Sequence, residues 1–306
     1  MVLGWVGAEM PANAEGTASV GLIAVTGASG RLGGRVARRL AAAGVAQRLV
    51  VRDPARAPSL PAASVLRASF DESDNARAAL AGVTTLLMVS AAETPDRVQQ
   101  HQTFVDAAAA AGVEHLVYIS FYGATPTCTF TLGRDHAATE QYIRDAGAGM
   151  RFTFLRDNLY ADFMTALVGS DDVIRGPAGN GQVAPVAQDD IADAAAAILL
   201  NPLPHADRTF SLTGPEALTL DEVAAVISEA AGRRIVYRPE TVDEAYASRA
   251  SYGAPRWQVD AWVSTYTAIA AGELATVTSD VPELTGHPAT SLADLLRQGR
   301  SAYPAD

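Results

Sequence analysis

The stretch Val20-Gly-Leu-Ile-Ala-Val-Thr-Gly-Ala-Ser-Gly-Arg-Leu-Gly-Gly34 constrains the fold more than any other part of the chain. Its apolar run from Leu22 to Val25 reads as a buried parallel strand, and Gly27, Gly30 and Gly33 follow in G-x-x-G-x-x-G spacing at the mouth of a helix. That pattern describes a phosphate cradle. Gly27 permits the sharp turn, Gly30 lets backbone N–H groups approach a pyrophosphate, and Gly33 lets the helix pack closely on the strand. Thr26, Ala28, Ser29, Arg31 and Leu32 complete the loop and are expected with it in the cofactor contact. Leu32, Val36 and Leu40 recur every four residues and give the helix one apolar stripe, while Arg31, Arg35 and Arg38 are expected to face water.

The rest of the chain repeats the strand-then-helix rhythm, which predicts a doubly wound parallel sheet of the Rossmann type with helices on both faces. Strands are expected at Gln47–Val51, Ser64–Arg67, Thr84–Ser90, His115–Ser120 and Arg151–Leu155, which with the first makes five or six. The intervening helices are expected at about 72–80, 95–111 and 134–146. Beyond Arg156 the rhythm changes, with turns at Gly176-Pro177 and Gly179-Asn180-Gly181 around short strands. Helices are expected from Asp189 to Leu200, after the capping box Thr219-Leu-Asp-Glu222, over 242–251 and over 255–271, and strands at 209–212 and 235–238. Three regions follow: a flexible extension over 1–19, a dinucleotide domain over 20–156, and a smaller α/β substrate-binding region over 157–306 that interleaves with it and roofs the strand ends.

Composition removes several alternatives. A net charge of −11 has the wrong sign for a protein that neutralises nucleic acid or anionic lipid. The longest apolar candidate, Ile191–Leu200, contains Asp193 and is too short to span a membrane. Residues 1–19 carry Glu9, Pro11 and Glu15 without a basic start, a poor signal peptide. A single cysteine, Cys128, allows no internal disulfide and no thiolate metal site; it fits a cytoplasmic protein, monomeric or homodimeric, that needs neither metal nor flavin. All 23 basic residues are arginine.

At the strand ends, Arg52 precedes Asp53, so a cation stands ready for a 2′-phosphate where an acid would take a ribose hydroxyl; NADP(H) is expected, with NAD(H) as the alternative. Val89, Ser90 and Ser120 end the strands on which a nicotinamide ribose and ring would rest, although a strand-end serine also caps backbone. Phe121, Tyr122, Phe163 and Trp257 are candidate apolar walls of a substrate pocket, and Tyr160 is a candidate to stack on an aromatic acceptor or donate to its oxygen. His136 is the first candidate for a polar catalytic role, against a structural reading in which it binds Glu140 or backbone; His101 reads as structural.

Thr26-Gly-Ala-Ser-Gly-Arg-Leu-Gly33, Arg52-Asp-Pro-Ala-Arg56, Gln100-His101, Ala111-Gly-Val-Glu-His115, His136-Ala-Ala-Thr-Glu140, Phe152-Thr-Phe-Leu-Arg156 and Gly286-His-Pro288 together resemble the NmrA-like branch of atypical short-chain dehydrogenases/reductases. Within it the chain is most similar to the group of NADPH-dependent quinone oxidoreductases and triphenylmethane reductases, from about Leu22 to Arg297. Ordinary short-chain reductases use a Tyr-x-x-x-Lys pair to supply the proton that accompanies hydride. Setting the glutamate of extended members on Glu140 puts His136 at the lysine position and Leu132 at the tyrosine position, and a chain without lysine cannot recover the pair. The resemblance then implies hydride delivery to a quinone or similar conjugated aromatic acceptor that stabilises the added electrons itself. The same missing pair is what a non-catalytic NADP(H)-binding redox sensor would show, ranked second because the sequence offers no partner motif, while an epimerase or dehydratase of nucleotide sugars conflicts with Leu132 and the lack of lysine.

Overall fold

The computed structural model describes residues 21–146 and 149–299; the expected N-terminal extension lies outside them. The first part of the chain alternates as anticipated. β1 (Ile23–Thr26), α1 (Arg31–Ala42), β2 (Gln47–Val51), β3 (Ala63–Arg67), α2 (Ser73–Leu80), β4 (Thr85–Met88), α3 (Arg97–Ala110), β5 (His115–Phe121), α4 (Thr131–Asp145) and β6 (Arg151–Asp157) follow in order. The second part contains a 3₁₀ segment (Ala161–Leu167), β7 (Val173–Gly176), β8 (Gln182–Val183), α5 (Gln188–Leu200), β9 (Arg208–Leu212), β10 (Leu218–Thr219), α6 (Leu220–Ala231), β11 (Val236–Pro239), α7 (Val242–Arg249), α8 (Arg256–Ala270), α9 (Asp280–Thr285) and α10 (Leu292–Arg297).

The main sheet has seven strands in the order β3-β2-β1-β4-β5-β6-β9. Every pairing in it is parallel. Parallel strands covered on both faces need apolar residues on both, and β4 and β5 are buried at every position. On one face Val36 and Leu40 of α1 meet Ile191, Ile198 and Leu199 of α5 over the sheet. On the other, Leu80, Phe104 and Ile143 of α2, α3 and α4 cover Leu86, Tyr118 and Phe154. A third cluster, with Met164, Ile174, Leu220, Ile227, Tyr266 and Ile269, lies in the roof formed by the second part of the chain. The strand order reverses between β1 and β4, which opens a crevice above their carboxyl ends.

Three local expectations are corrected. The strand expected at 209–212 is β9, and it returns to the main sheet beside β6 as a seventh strand. The helix expected from Arg134 begins at Thr131 and takes Gly133 into its first turn, where a Cβ would meet Cys128 Sγ at 2.8 Å. Arg35 turns from water to the roof, its guanidinium 3.2 Å from Asp162 and 3.3 Å from Asp189, and Arg39 beside it binds Asp189 and Asp193 of α5. The capping box is as read, Thr219 accepting from the Glu222 amide, and Thr241 with Glu244 repeats it at α7. Among the described residues no helix is long and apolar enough to cross a membrane.

Candidate active site

The β1–α1 turn is built almost wholly of backbone. Gly27 has φ +63°, which L side chains rarely adopt, and its carbonyl receives the Gly30 amide at 2.8 Å. A Cβ on Gly33 would lie 2.5 Å from the Gly27 oxygen and 2.7 Å from the Thr26 oxygen, so only glycine lets α1 start this close to β1. Gly30 is the helix N-cap and brings no side-chain cap to the start of α1, and no acid stands in its first turn. The start of a helix offers backbone amides and the positive end of its dipole to an anion, which is the fit a dinucleotide pyrophosphate requires. Of the expected contact set, Gly27, Gly30 and Arg31 are exposed and Ser29 half-buried, whereas Thr26, Ala28, Leu32 and Gly33 lie buried beneath them. Thr26 ties β1 to the end of β4: its Oγ1 accepts from the Val89 amide at 2.8 Å, while Val89 packs on Gly27.

At the end of β2, Arg52 is exposed. Asp53 is used locally: its carboxylate accepts from the Ala55 amide at 3.0 Å and caps the short turn Pro54–Arg56.

Above the ends of β4, β5 and β6 a cavity of about 1040 Å³ opens between sheet and roof. Ser90, His136, Tyr160, Phe121 and Phe163 line it, as does Leu132, so the residues expected around the ring and acceptor converge from five segments. Phe163 is 41% exposed and stands toward solvent. Four expected residues do not line it, Val89 among them, which packs on Gly27. Ser120 is fully buried and donates to Glu140 at 2.6 Å instead; Tyr122 packs into the roof core, its amide bonded to the Asp157 carbonyl; and Trp257 gives way to Trp262, one turn further along α8 and edge-on to Tyr252.

His136 does not bind Glu140, one of the two partners its structural reading offered. Glu140 is held by Arg156 at 2.6 and 2.8 Å and by Arg144 at 3.3 Å. His136 bridges Arg97, 3.1 Å from its Nε2, and Tyr118, 3.0 Å from its Nδ1. A guanidinium only donates, so Nε2 accepts and Nδ1 carries the proton toward the Tyr118 oxygen. Behind it, His101 Nε2 accepts from the Ala91 amide at 2.9 Å, which puts its own proton on Nδ1, facing Thr139 Oγ1 at 2.8 Å. Burial, aided by Arg97, pulls His101 down to about 3 and His136 well below the ordinary imidazole value, so both are neutral. Burial likewise pushes the Tyr118 hydroxyl up.

Among the cavity residues outside the sequence-based set are Arg97 and Asp157. Arg97, at the start of α3, is 5% exposed; its Nε donates to the Ala91 carbonyl and Nη2 to His136, while its buried Nη1 has no hydrogen-bond partner among the described residues. Asp157, the last residue of β6, is 4% exposed and accepts from the Tyr160 hydroxyl at 2.9 Å. Burial drives its carboxyl well above the usual carboxylate range, the Tyr160 hydrogen bond and Arg97 opposing. Elsewhere, Asp190, Asp193 and His287 place ligand atoms within 4.8 Å of one another, but Thr290 occupies Asp190 and Arg39 occupies Asp193.

A seven-stranded parallel sheet with a glycine cradle at its first turn and a roofed cavity over its switch-point side is the architecture of a Rossmann-type dinucleotide-binding protein. The chain belongs to the NmrA-like family, which matches residues 19–248. It is 33% identical over 292 residues to the NAD(P)H azoreductase of Xenophilus azovorans, covering 93% of this chain and 100% of that one. It is 32% identical over 280 residues to quinone oxidoreductase 2 of Escherichia coli, covering 89% and 96%. Among solved structures, the NADPH complex of the Escherichia coli NADPH-dependent quinone oxidoreductase superposes with a TM-score of 0.82 at 30% identity, over 91% of this chain and 99% of that one. The triphenylmethane reductase of Citrobacter sp. superposes with 0.79 at 31% identity, over 90% and 98%. The chain is an NAD(P)H-dependent oxidoreductase of this family.

Proposed function

We propose that the protein reduces quinones or similarly conjugated aromatic acceptors with NADPH. The observation that carries this reading is the cavity: it holds about 1040 Å³ between aromatic walls directly above the strand ends that follow the cradle. Where the resemblance sets the tyrosine and lysine of ordinary short-chain reductases, its wall presents Leu132 and His136. A simple ketone gains little from such a wall, whereas a quinone or azo acceptor accommodates the incoming electron pair in its own conjugated system.

The bound cofactor supplies hydride; the chain's residues bind, align and exclude water. The amides of α1 hold the pyrophosphate, and Arg52 takes the 2′-phosphate, since Asp53 is committed to its turn. Ser90 and Val89, at the end of β4, would hold the nicotinamide ribose. Phe121, Phe163, Tyr160 and Trp262 flank the acceptor ring. The unpartnered Nη1 of Arg97 meets an acceptor oxygen as charge develops there, and neutral His136 keeps that guanidinium oriented.

The test is direct. Purified protein mixed with NADPH and a panel of quinones and azo dyes should consume NADPH, read at the nicotinamide absorbance, only when an acceptor is present. Tight NADPH binding by calorimetry with no acceptor-dependent consumption across the panel would exchange this reading for that of a sensor.

A further inference from the structure

Resting on the reductase reading above, we propose that Asp157 is the proton donor of this site, giving its carboxyl proton to the acceptor heteroatom on which negative charge develops. The geometry leaves few other roles for it. Asp157 ends β6, lines the cavity and is 4% exposed. Its strand partners at that level are Phe121 of β5 and Leu212 of β9, both apolar. No arginine forms an ion pair with it among the described residues; Arg97, across the cavity floor on α3, acts on it only through space. Among the described residues its one side-chain partner is Tyr160, whose hydroxyl donates to Oδ2 at 2.9 Å, and its own backbone amide adds a hydrogen bond to the carboxyl. A buried carboxyl without a cation is far cheaper as the neutral acid than as the anion. With Oδ2 accepting from Tyr160, the acidic proton belongs on Oδ1, so Tyr160 is a positioning residue.

The balance is simple. An acceptor that gains a hydride equivalent from NADPH carries one added negative charge. Breaking the Asp157 O–H bond and forming one O–H or N–H bond on the acceptor neutralises it, so that two electrons and two protons have been added in total counting the hydride. Asp157 is left as a carboxylate, on which Arg97 acts only through space, and regains its proton from water through the open side of the cavity. A carboxylic acid on a strand end would thus do what the Tyr-x-x-x-Lys pair does in ordinary short-chain reductases, by desolvation rather than by a neighbouring lysine.

Asp157→Asn keeps the shape and still accepts from Tyr160 but has no acidic proton. Its kcat with a weakly activated acceptor, such as an azo dye, should fall by about 10²-fold, the scale of general acid catalysis, while NADPH affinity by calorimetry stays as in the wild type. The wild-type kcat should decline as pH rises through the Asp157 titration, because the acid form is the active one; the Asp157→Asn profile should lack that limb. Independently of turnover, infrared difference spectra of wild type minus Asp157→Asn at neutral pH should contain one protonated-carboxyl C=O band that shifts in D₂O. A variant that keeps the wild-type kcat and pH profile overturns the proposal and leaves the reductase reading intact, as does a difference spectrum showing only carboxylate at Asp157. A wild type inert toward every acceptor overturns the reductase reading and the proposal with it.

Discussion

The two ends of the binding crevice are built on opposite principles. At the cradle, Thr26–Gly33, recognition is made of backbone: amides, a positive-φ glycine and close contact that a single methyl would break. The stretch contains no acid and no histidine, so nothing in it titrates near neutrality. At the cavity, recognition is made of side chains brought from α3, β5, α4, β6, the 3₁₀ segment and α8, and its floor is a layer of buried titratable groups. In the proposed reaction the first end takes the cofactor and the second selects the acceptor.

The harshest way to break the cradle is Gly33→Ala. The new Cβ would lie 2.5 Å from the Gly27 oxygen, and backbone on both sides must move. NADPH affinity should fall by 10²-fold or more by calorimetry, with a clear drop in Tm. An unchanged Kd would show that the cradle is less rigid than its contacts imply. At the cavity, Arg97→Gln should raise KM for quinones about 10- to 100-fold while NADPH affinity is preserved, the cost of losing a charged hydrogen bond to the acceptor. Equal loss of cofactor affinity would move Arg97 from the acceptor side to the cofactor side.

Beyond the cradle, on the side away from the cavity, Arg52 ends β2, exposed and therefore screened. Arg52→Ala should weaken NADPH by about tenfold and leave NADH almost untouched, measured by calorimetry with both dinucleotides at low salt, where charged hydrogen bonds of this kind are strongest. Equal weakening of both would remove its role at the 2′-phosphate.

The same division explains what could be read before any coordinates. β2 is bounded as its apolar run indicated, and the cradle's glycines stand where their spacing put them, because local sterics settle both. β9 was harder. A strand of Arg-Thr-Phe-Ser-Leu reads the same whether it joins the main sheet or a separate roof, and its pairing with β6 is a contact 55 residues away in sequence, Thr153 with Arg208. Trp262 rather than Trp257 reaches the cavity because α8 presents a different turn to it, which depends on how the helix is seated. Asp157 and Arg97 carry no local mark at all. A strand-end aspartate beside Arg156 looks like half of an ion pair, yet Arg156 is spent on Glu140, and only tertiary burial reveals that Asp157 is left without a cation. Thr139, already in the His136–Glu140 stretch, was the available clue that His101 would be held from α4.

The smallest expected effect separates the ends by pH. His101 is fully buried and its imidazole sits at about 3, against about 6.5 when unfolded. Between those values the unfolded chain takes up a proton that the native state refuses, so stability is complete above about pH 6.5 and is lost as pH falls below it. The slope from one such group is at most about 1.4 kcal/mol per pH unit. His115, held at about 4 chiefly by burial, acts in the same direction over a shorter window, and Asp157, raised rather than lowered, acts in the opposite one. The contribution of His101 is therefore isolated by difference. His101→Gln can still accept from the Ala91 amide where Nε2 does, and it removes the titration. Urea denaturation from pH 6 to pH 4 should give a pH slope shallower than wild type by about 1.4 kcal/mol per unit, whatever the variant's loss at neutral pH. Parallel slopes would mean that His101 is protonated in the native state, and the neutral layer beneath the cavity would have to be redrawn around a charge.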